Sequence, residues 1–175
     1  EYVISLKFDN GMGFSADNLA AVCQGEKWGY INNQGDYVIN AQYDSASAFT
    51  DGLAVVSVDG EFAYIDKGGN YVIEPQFDAA MEFREEDLAI VRVGNGYGYV
   101  NKKGMYEINP QYDRVTEFND GKAFVVDGDA VAMITPKNRK IRLKDVDNVY
   151  AVYDDAVVFV KGDKYGIINW KGKVI

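Results

Sequence analysis

A chain of 175 residues, 47% hydrophobic and 26% charged, is long enough to bury a sizeable core and too apolar to be disordered. Its formal net charge of −9 repels phosphate backbones and anionic membrane surfaces, so nucleic acid is not expected as a ligand, while cationic partners are allowed. There is no His and a single cysteine, Cys23, which excludes an intrachain disulfide, Cys-based zinc sites, His-ligated metals, and Ser-His-Asp or Cys-His catalysis.

No apolar run approaches the roughly 18 residues of a membrane-spanning helix, so membrane insertion is not expected. Tyr numbers 13 and Phe 9 against 3 Pro, a balance that leans toward strands. The chain then repeats itself. Setting Leu19, Leu53, Leu88, Lys122 and Ala156 as equivalent gives spacings of 34, 35, 34 and 34. Tyr2-Val3-Ile4 and Phe8-Asp9 match Tyr37-Val38-Ile39 and Tyr43-Asp44, so a half unit, 1–18, opens the chain. Full units follow at 19–52, 53–87, 88–121 and 122–155, and a half unit, 156–175, closes a single repeat domain over 1–175.

Each unit reads as three strands and a tight connector. The first strand, Leu19 to Gln24 and its copies, carries Ala20/Val22, Ala54/Val56, Ala89/Val91, Ala123/Val125 and Val157/Phe159 at period two, a row expected to point inward. The opposite row holds Arg92 among apolar residues and is expected to be only partly covered. In the second strand Gly29, Ala63, Gly98, Ala132 and Gly166 alternate with Ile31, Ile65, Val100, Ile134 and Ile168. Trp28, Phe62, Tyr97 and Tyr165 fall on its other face, and each small residue is expected to be the floor for a neighbouring unit's ring.

The turns Asn32 to Gly35, Asp66 to Gly69, Asn101 to Gly104 and Asn169 to Gly172 combine an Asx side chain with a Gly three residues on, the chemistry of a hairpin turn with a left-handed Gly. Thr135-Pro136-Lys137-Asn138 replaces it in the fourth unit, with Asn138 in the left-handed position. The third strand, Tyr37 to Tyr43, Tyr71 to Phe77 and Tyr106 to Tyr112, holds Pro75 and Pro110, which demand an edge, bulge or bend. After it come Asp9, Asp44, Asp78, Asp113 and Asp147, each followed by a small or Val residue and then an apolar one. The pattern predicts an Asx-capped turn of 3₁₀ or α-helix. The same aspartates could line a cation channel; capping accounts for their recurrence without a ligand.

The Lys27-Trp28-Gly29-Tyr30-Ile31 core, the Asx-x-x-Gly turn and the Val72-Ile73-Glu74-Pro75-Gln76-Phe77-Asp78 strand with its later Phe83 resemble bacterial WG (KWG) β-repeats across essentially the whole chain. Only Trp28-Gly29 is a literal WG pair, and the fourth unit has Val131-Ala132 in its place. The resemblance implies a β-rich array of a bacterial protein that serves binding or structure, without catalytic residues, with a secreted or cell-surface site in keeping with it.

The fold expected is all-β: tandem three-stranded antiparallel units of about 34 residues stacked as an open twisted solenoid. The alternative is a closed five-unit propeller-like ring in which the N-terminal strand completes the last unit. Asp127-Gly128-Asp129 and Asp145-Val146-Asp147 are fragments of calcium-loop spacing without the remainder, so no metal or cofactor is assigned. The function expected is a non-catalytic module for protein interaction or scaffolding, its protein partner unidentified. The alternative is binding of a cell-wall glycan or choline by exposed rings, for which Trp170, Trp28, Tyr30, Tyr64 and Tyr99 are the candidates. Trp170 leads them because it occupies a turn position.

Overall fold

The computed structural model describes residues 7–143, 146–153, 156–170 and 173. The β-rich expectation holds: the strands form five small antiparallel sheets, none closed into a barrel. They fall into two compact units, Glu1–Phe83 and Arg84–Ile175.

In the first unit, β1 (Asn10–Gly11), β2 (Ala20–Gln24), β3 (Lys27–Ile31) and β4 (Tyr37–Tyr43) make one sheet in chain order. The next sheet is β5 (Ser45–Ala46), β6 (Leu53–Val58), β7 (Glu61–Asp66) and β8 (Tyr71–Phe77), and β9 (Ala79–Ala80) follows. In the second unit β10 (Leu88–Val93), β11 (Gly96–Asn101) and β12 (Tyr106–Tyr112) form a meander. After it come a four-stranded sheet of β13 (Arg114–Val115), β14 (Ala123–Asp127), β15 (Ala130–Ile134) and β16 (Lys140–Arg142), and the last sheet of β17 (Asn148–Val152), β18 (Ala156–Lys161) and β19 (Lys164–Asn169).

The extra strand corrects the three-stranded unit. The segment after the aspartate does not coil; it lies along the free edge of the next first strand, Ser45 and Ala46 opposite Ser57 and Val56, Arg114 and Val115 opposite Val126 and Val125. Edge amides left open by a first strand need partners, and an extended segment supplies them where a helical turn does not. Side chains strengthen the choice, since Ser47 Oγ accepts from the Val55 amide at 3.0 Å and Thr116 Oγ1 from that of Phe124 at 2.9 Å.

The aspartates have a different role from capping their own turn. Asp9, Asp44, Asp113 and Asp147 each reach the tip of the following hairpin, accepting from the amides of Gly25, Asp59, Gly128 and Gly162 at 2.7–2.8 Å. These tips are two-residue turns in which both Gly25 and Glu26, or both Asp59 and Gly60, have positive φ. Such turns match strand twist and leave an amide pointing outward for the carboxylate.

Between sheets the packing is two-sided, which corrects the half-covered face expected of the first strand. In the first unit Leu19, Ala21, Tyr30, Ile39 and Tyr43 of one sheet meet Ala54, Val56, Ala63 and Ile65 of the next, with Trp28 against them. Ala20, Val22 and Ile31 on the other face are buried too, beneath Phe8 and Tyr37. In the second unit the β13–β16 sheet packs both rows, Ala123 and Val125 on one side and Phe124 and Val126 on the other, so alternation disappears from its first strand.

The small second-strand residue also has another explanation. A Cβ on Gly29 would lie 2.5 Å from the Ile39 carbonyl oxygen, and on Gly98 2.4 Å from that of Ile108. Both face a bulge in the outer strand of the same sheet, where the register steps from Tyr43 to Ile39 opposite Trp28 and Tyr30, and from Tyr112 to Ile108 opposite Tyr97 and Tyr99. Pro75 and Pro110 sit in such bulges, where no ladder donor is required. Of the second-strand glycines Gly29, Gly98 and Gly166, the last meets a ring, and it is Phe159 of its own hairpin rather than one from a neighbouring unit.

The connectors follow the sequence reading. Asn32 Oδ1 accepts from the amides of Gln34 and Asp36, Asp66 Oδ1 from Gly68 and Asn70, and Asn101 Oδ1 from Lys103 and Met105. Gly35, Gly69 and Gly104 are left-handed, and Asn138 takes that place at φ 54° with Thr135 Oγ1 accepting from Arg139. The turn after Asn169 and the strand Tyr2 to Ile4 lie in part or whole outside the described residues.

Candidate functional site

The rings singled out by the sequence are brought into the interior. Tyr30, Tyr64 and Tyr99 are 0–1% exposed, and each stacks on the Phe that follows it: Phe49, Phe83 and Phe118, at 4.7–4.8 Å between centroids. Their hydroxyls donate to the carbonyls of Ser47, Met81 and Thr116 at 2.9, 2.7 and 2.6 Å, always 17 residues on. Burial pushes all three phenols far above their ordinary range. Each is a tie from the second strand to the loop after the outer strand, which is why it recurs.

Trp170 is the plainest correction. It is 6% exposed, rests on Phe124 at 5.1 Å, and its indole N–H donates to the Tyr153 carbonyl at 3.3 Å. The cause lies in the fourth unit, where Met133 stands in the register position of the buried tyrosines and Phe124 opposite it replaces Ala21, Val55 or Ile90. Phe124, Met133 and Trp170 together fill the core of that junction. Trp28 is half-buried between the sheets of the first unit. A glycan or choline site built on these rings therefore loses its exposed faces.

Electrostatic contacts are peripheral. The Lys27 ammonium and then the Asp59 amide hold Asp44 below the ordinary carboxylate range, and the Gly162 amide and Lys161 do the same for Asp147. Asp17, held low by Lys67 at 2.8 Å and by the Gly52 amide, ties the first sheet's loop to the second sheet. Among the described residues no group of three or more His, Cys, Asp or Glu is placed to hold a metal, and no helix is long and apolar enough to cross a membrane.

What reaches solvent is the outer strands and turns. Gly69 packs on Ile39, and the Tyr43 hydroxyl points to the Gly69 carbonyl at 3.5 Å, which sets the start of β8 against β4. Val38, Tyr71 and Val72 are thereby displayed on the rim of the first unit at 38–45% exposure. Charge is divided unequally: residues 1–83 carry 3 Lys against 13 Asp and Glu, net −10, whereas 84–175 carry 15 basic against 14 acidic residues, net +1. The rim is thus apolar side chains set on an acidic unit. Sequence reasoning missed it because the third strand was read for its prolines and not for its outward row; dividing the charge by half-chain was the signal available.

No curated protein matches the chain. Among solved structures it is similar to a eukaryotic initiation factor, at 11% identity over 95% of this chain and 54% of the other, with a TM-score of 0.62. It is similar also to Hsv2p of Kluyveromyces lactis, at 11% identity, 96% and 62% coverage and a TM-score of 0.58. A third likeness is to the extracellular domain of a putative one-component system of B. thetaiotaomicron, at 11% identity, 96% and 29% coverage and a TM-score of 0.51. The chain spans between about a third and two thirds of these proteins' lengths, and the likeness is one of fold, β-propeller-like. The description "WG containing repeat" matches residues 1–28, 28–62, 62–97 and 97–129, the stretch in which the buried Tyr, the Asx turn and the bulged outer strand recur, and the chain belongs to that repeat family.

Proposed function

We propose that the domain is a non-catalytic module that engages a protein partner through the rim of its first unit, Val38, Tyr71 and Val72, framed by the carboxylates of that unit. One observation carries the reading: the recurring residues are committed to the interior, while Val38, Tyr71 and Val72 on the bulged outer strands of the acidic unit stay exposed. Exposed apolar side chains grouped within a charged surround are the usual composition of an interaction surface. The net charge of −10 on that unit fits a cationic partner.

Cross-linking in cells of origin tests it. Wild-type chain is expected to yield a discrete partner that Val72→Asp with Tyr71→Ser abolishes, without change in the far-ultraviolet circular dichroism. An unchanged set of cross-links in that variant would move the function elsewhere. For the array, an open twisted solenoid is the first reading and a closed five-unit ring the alternative. Small-angle scattering decides between them, a ring giving the smaller maximum dimension.

A further inference from the structure

The described outer strands β4, β8, β12 and β16 each end a sheet, and β4 differs from the rest in what it leaves at its open edge. β8 carries Glu74 and Pro75, β12 carries Glu107 and Pro110, and β16 is bounded by Lys140 and Arg142. Charge and proline are the usual means of keeping a free edge from pairing with another chain. β4 reads Tyr37-Val38-Ile39-Asn40-Ala41-Gln42-Tyr43, with neither. Ala41 stands where its copies have Pro75 and Pro110, so β4 keeps a backbone N–H that they lack. A second difference lies in the carbonyls. Gln76 Nε2 donates to the Glu74 carbonyl at 3.2 Å and Gln111 Nε2 to that of Asn109 at 3.3 Å, so each of those strands caps an acceptor with its own side chain. β4 has the same bulge and the same glutamine, but among the described residues no such bond joins Gln42 to the Asn40 carbonyl.

We propose that the open edge of β4 takes an extended, basic segment of a partner protein as an added strand. The inference deepens the rim reading and rests on it for the partner being a protein. Strand addition draws its affinity from main-chain hydrogen bonds and its selectivity from alternate side chains. On β4 the outward row is Val38, Asn40 and Gln42, all exposed, while Ile39 and Tyr43 point inward and are buried. An incoming strand therefore sets alternate side chains beside one apolar and two neutral polar residues, and meets no charge along the strand itself. Carboxylates stand at both ends, Asp36 just before the strand and Asp44 just after it, both exposed. Charge selects the occupant. The unit that holds β4 has a net charge of −10, which attracts a cationic segment and repels a second copy presenting the same edge with the same charge.

Titration of a labelled synthetic peptide of alternating Val and Lys with the full chain, read by fluorescence anisotropy, tests this. Saturable binding is expected at roughly 1–100 μM, weakening as salt is added, and the alternating Val and Glu peptide is expected not to bind. The Val and Lys peptide N-methylated along its backbone keeps its charge and side chains and is also expected not to bind. Ala41→Pro, which removes a main-chain donor, is expected to weaken binding roughly tenfold or more. That substitution copies Pro75 and Pro110, so the sheet keeps its fold, and Trp28 fluorescence checks it. No binding by the Val and Lys peptide, or binding that survives both Ala41→Pro and N-methylation, overturns the inference. A wild-type dimer in sedimentation equilibrium that Ala41→Pro dissolves overturns it in favour of a second copy. Cross-linking separates it from the rim reading. Partner cross-links kept in Ala41→Pro but lost in Val72→Asp with Tyr71→Ser sink this inference and leave that one, and the reverse pattern leaves the β4 edge and sinks the Tyr71 and Val72 rim.

Discussion

Tyr64 shows what the repeating tyrosine does as a single residue. Its ring is fully buried and its hydroxyl donates to the Met81 carbonyl at 2.7 Å, so Tyr64→Phe strands a buried acceptor. The expected cost is about 1–2 kcal/mol in urea denaturation with an unchanged m-value. Tyr165→Phe, at an exposed ring, is expected to cost less than about 0.5 kcal/mol. Burial also pushes the Tyr43 phenol up to about 12, against 10.0 for the free group. The unfolded chain therefore ionises first, so the stability from the neutral phenol is whole below pH 10.0 and drains away as pH climbs toward 12. Tyrosinate absorbance and loss of circular dichroism are expected to rise together in an alkaline titration. At the acid end the direction reverses. Asp44 and Asp147, held below the ordinary 3.8, contribute stability above that value and lose it as pH falls through their lower folded values, which melting temperature against pH will read.

Among elements, the hairpin tip and the fourth-unit junction are the places where local chemistry governs a whole sheet. Asp113→Ala removes the acceptor of the Gly128 amide, and about 1 kcal/mol or less is expected to be lost, with faster amide exchange confined to the β14–β15 tip. Asp113→Asn, which keeps an acceptor oxygen, should restore most of the protection. Trp170→Ala empties a core position packed on Phe124 and is expected to cost about 3–5 kcal/mol. A loss below about 1 kcal/mol in chemical denaturation would show that Trp170 is not the keystone of that junction.

For the whole molecule, each unit carries one tryptophan, Trp28 in the first and Trp170 in the second. The second unit has Met133 and Ile167 where the first three sheets place a hydrogen-bonded tyrosine, and a three-residue outer strand in β16. Neighbour contacts supply most of the stability of a repeat array, so that unit should open first. With Trp28→Phe and Trp170→Phe as single-tryptophan reporters, the Trp170 transition is expected at lower denaturant than that of Trp28. Coincident transitions would mean the two units unfold as one.

Much of this was legible in the residues themselves. Period, turns and family follow from local chemistry: Asn32 bonds amides two and four residues on, Gly35 and Asn138 adopt left-handed φ, and Pro75 and Pro110 cannot sit in a ladder. Such interactions span a few residues, so spacing reveals them. What tertiary structure alone decided is how distant segments share one environment. The segment after Asp44 became a strand because an open edge lay 12 residues further on, at Ser57 opposite Ser45. Gly29 is small because a bulged strand passes 2.5 Å from where its Cβ would be, not because a ring does. Trp170, in a turn by spacing, went inside because Met133 left volume and Phe124 gave it a wall, while Tyr165, on a packing strand by spacing, is 65% exposed. Burial depends on what stacks next, and a periodic pattern is the same whether or not a neighbour is present.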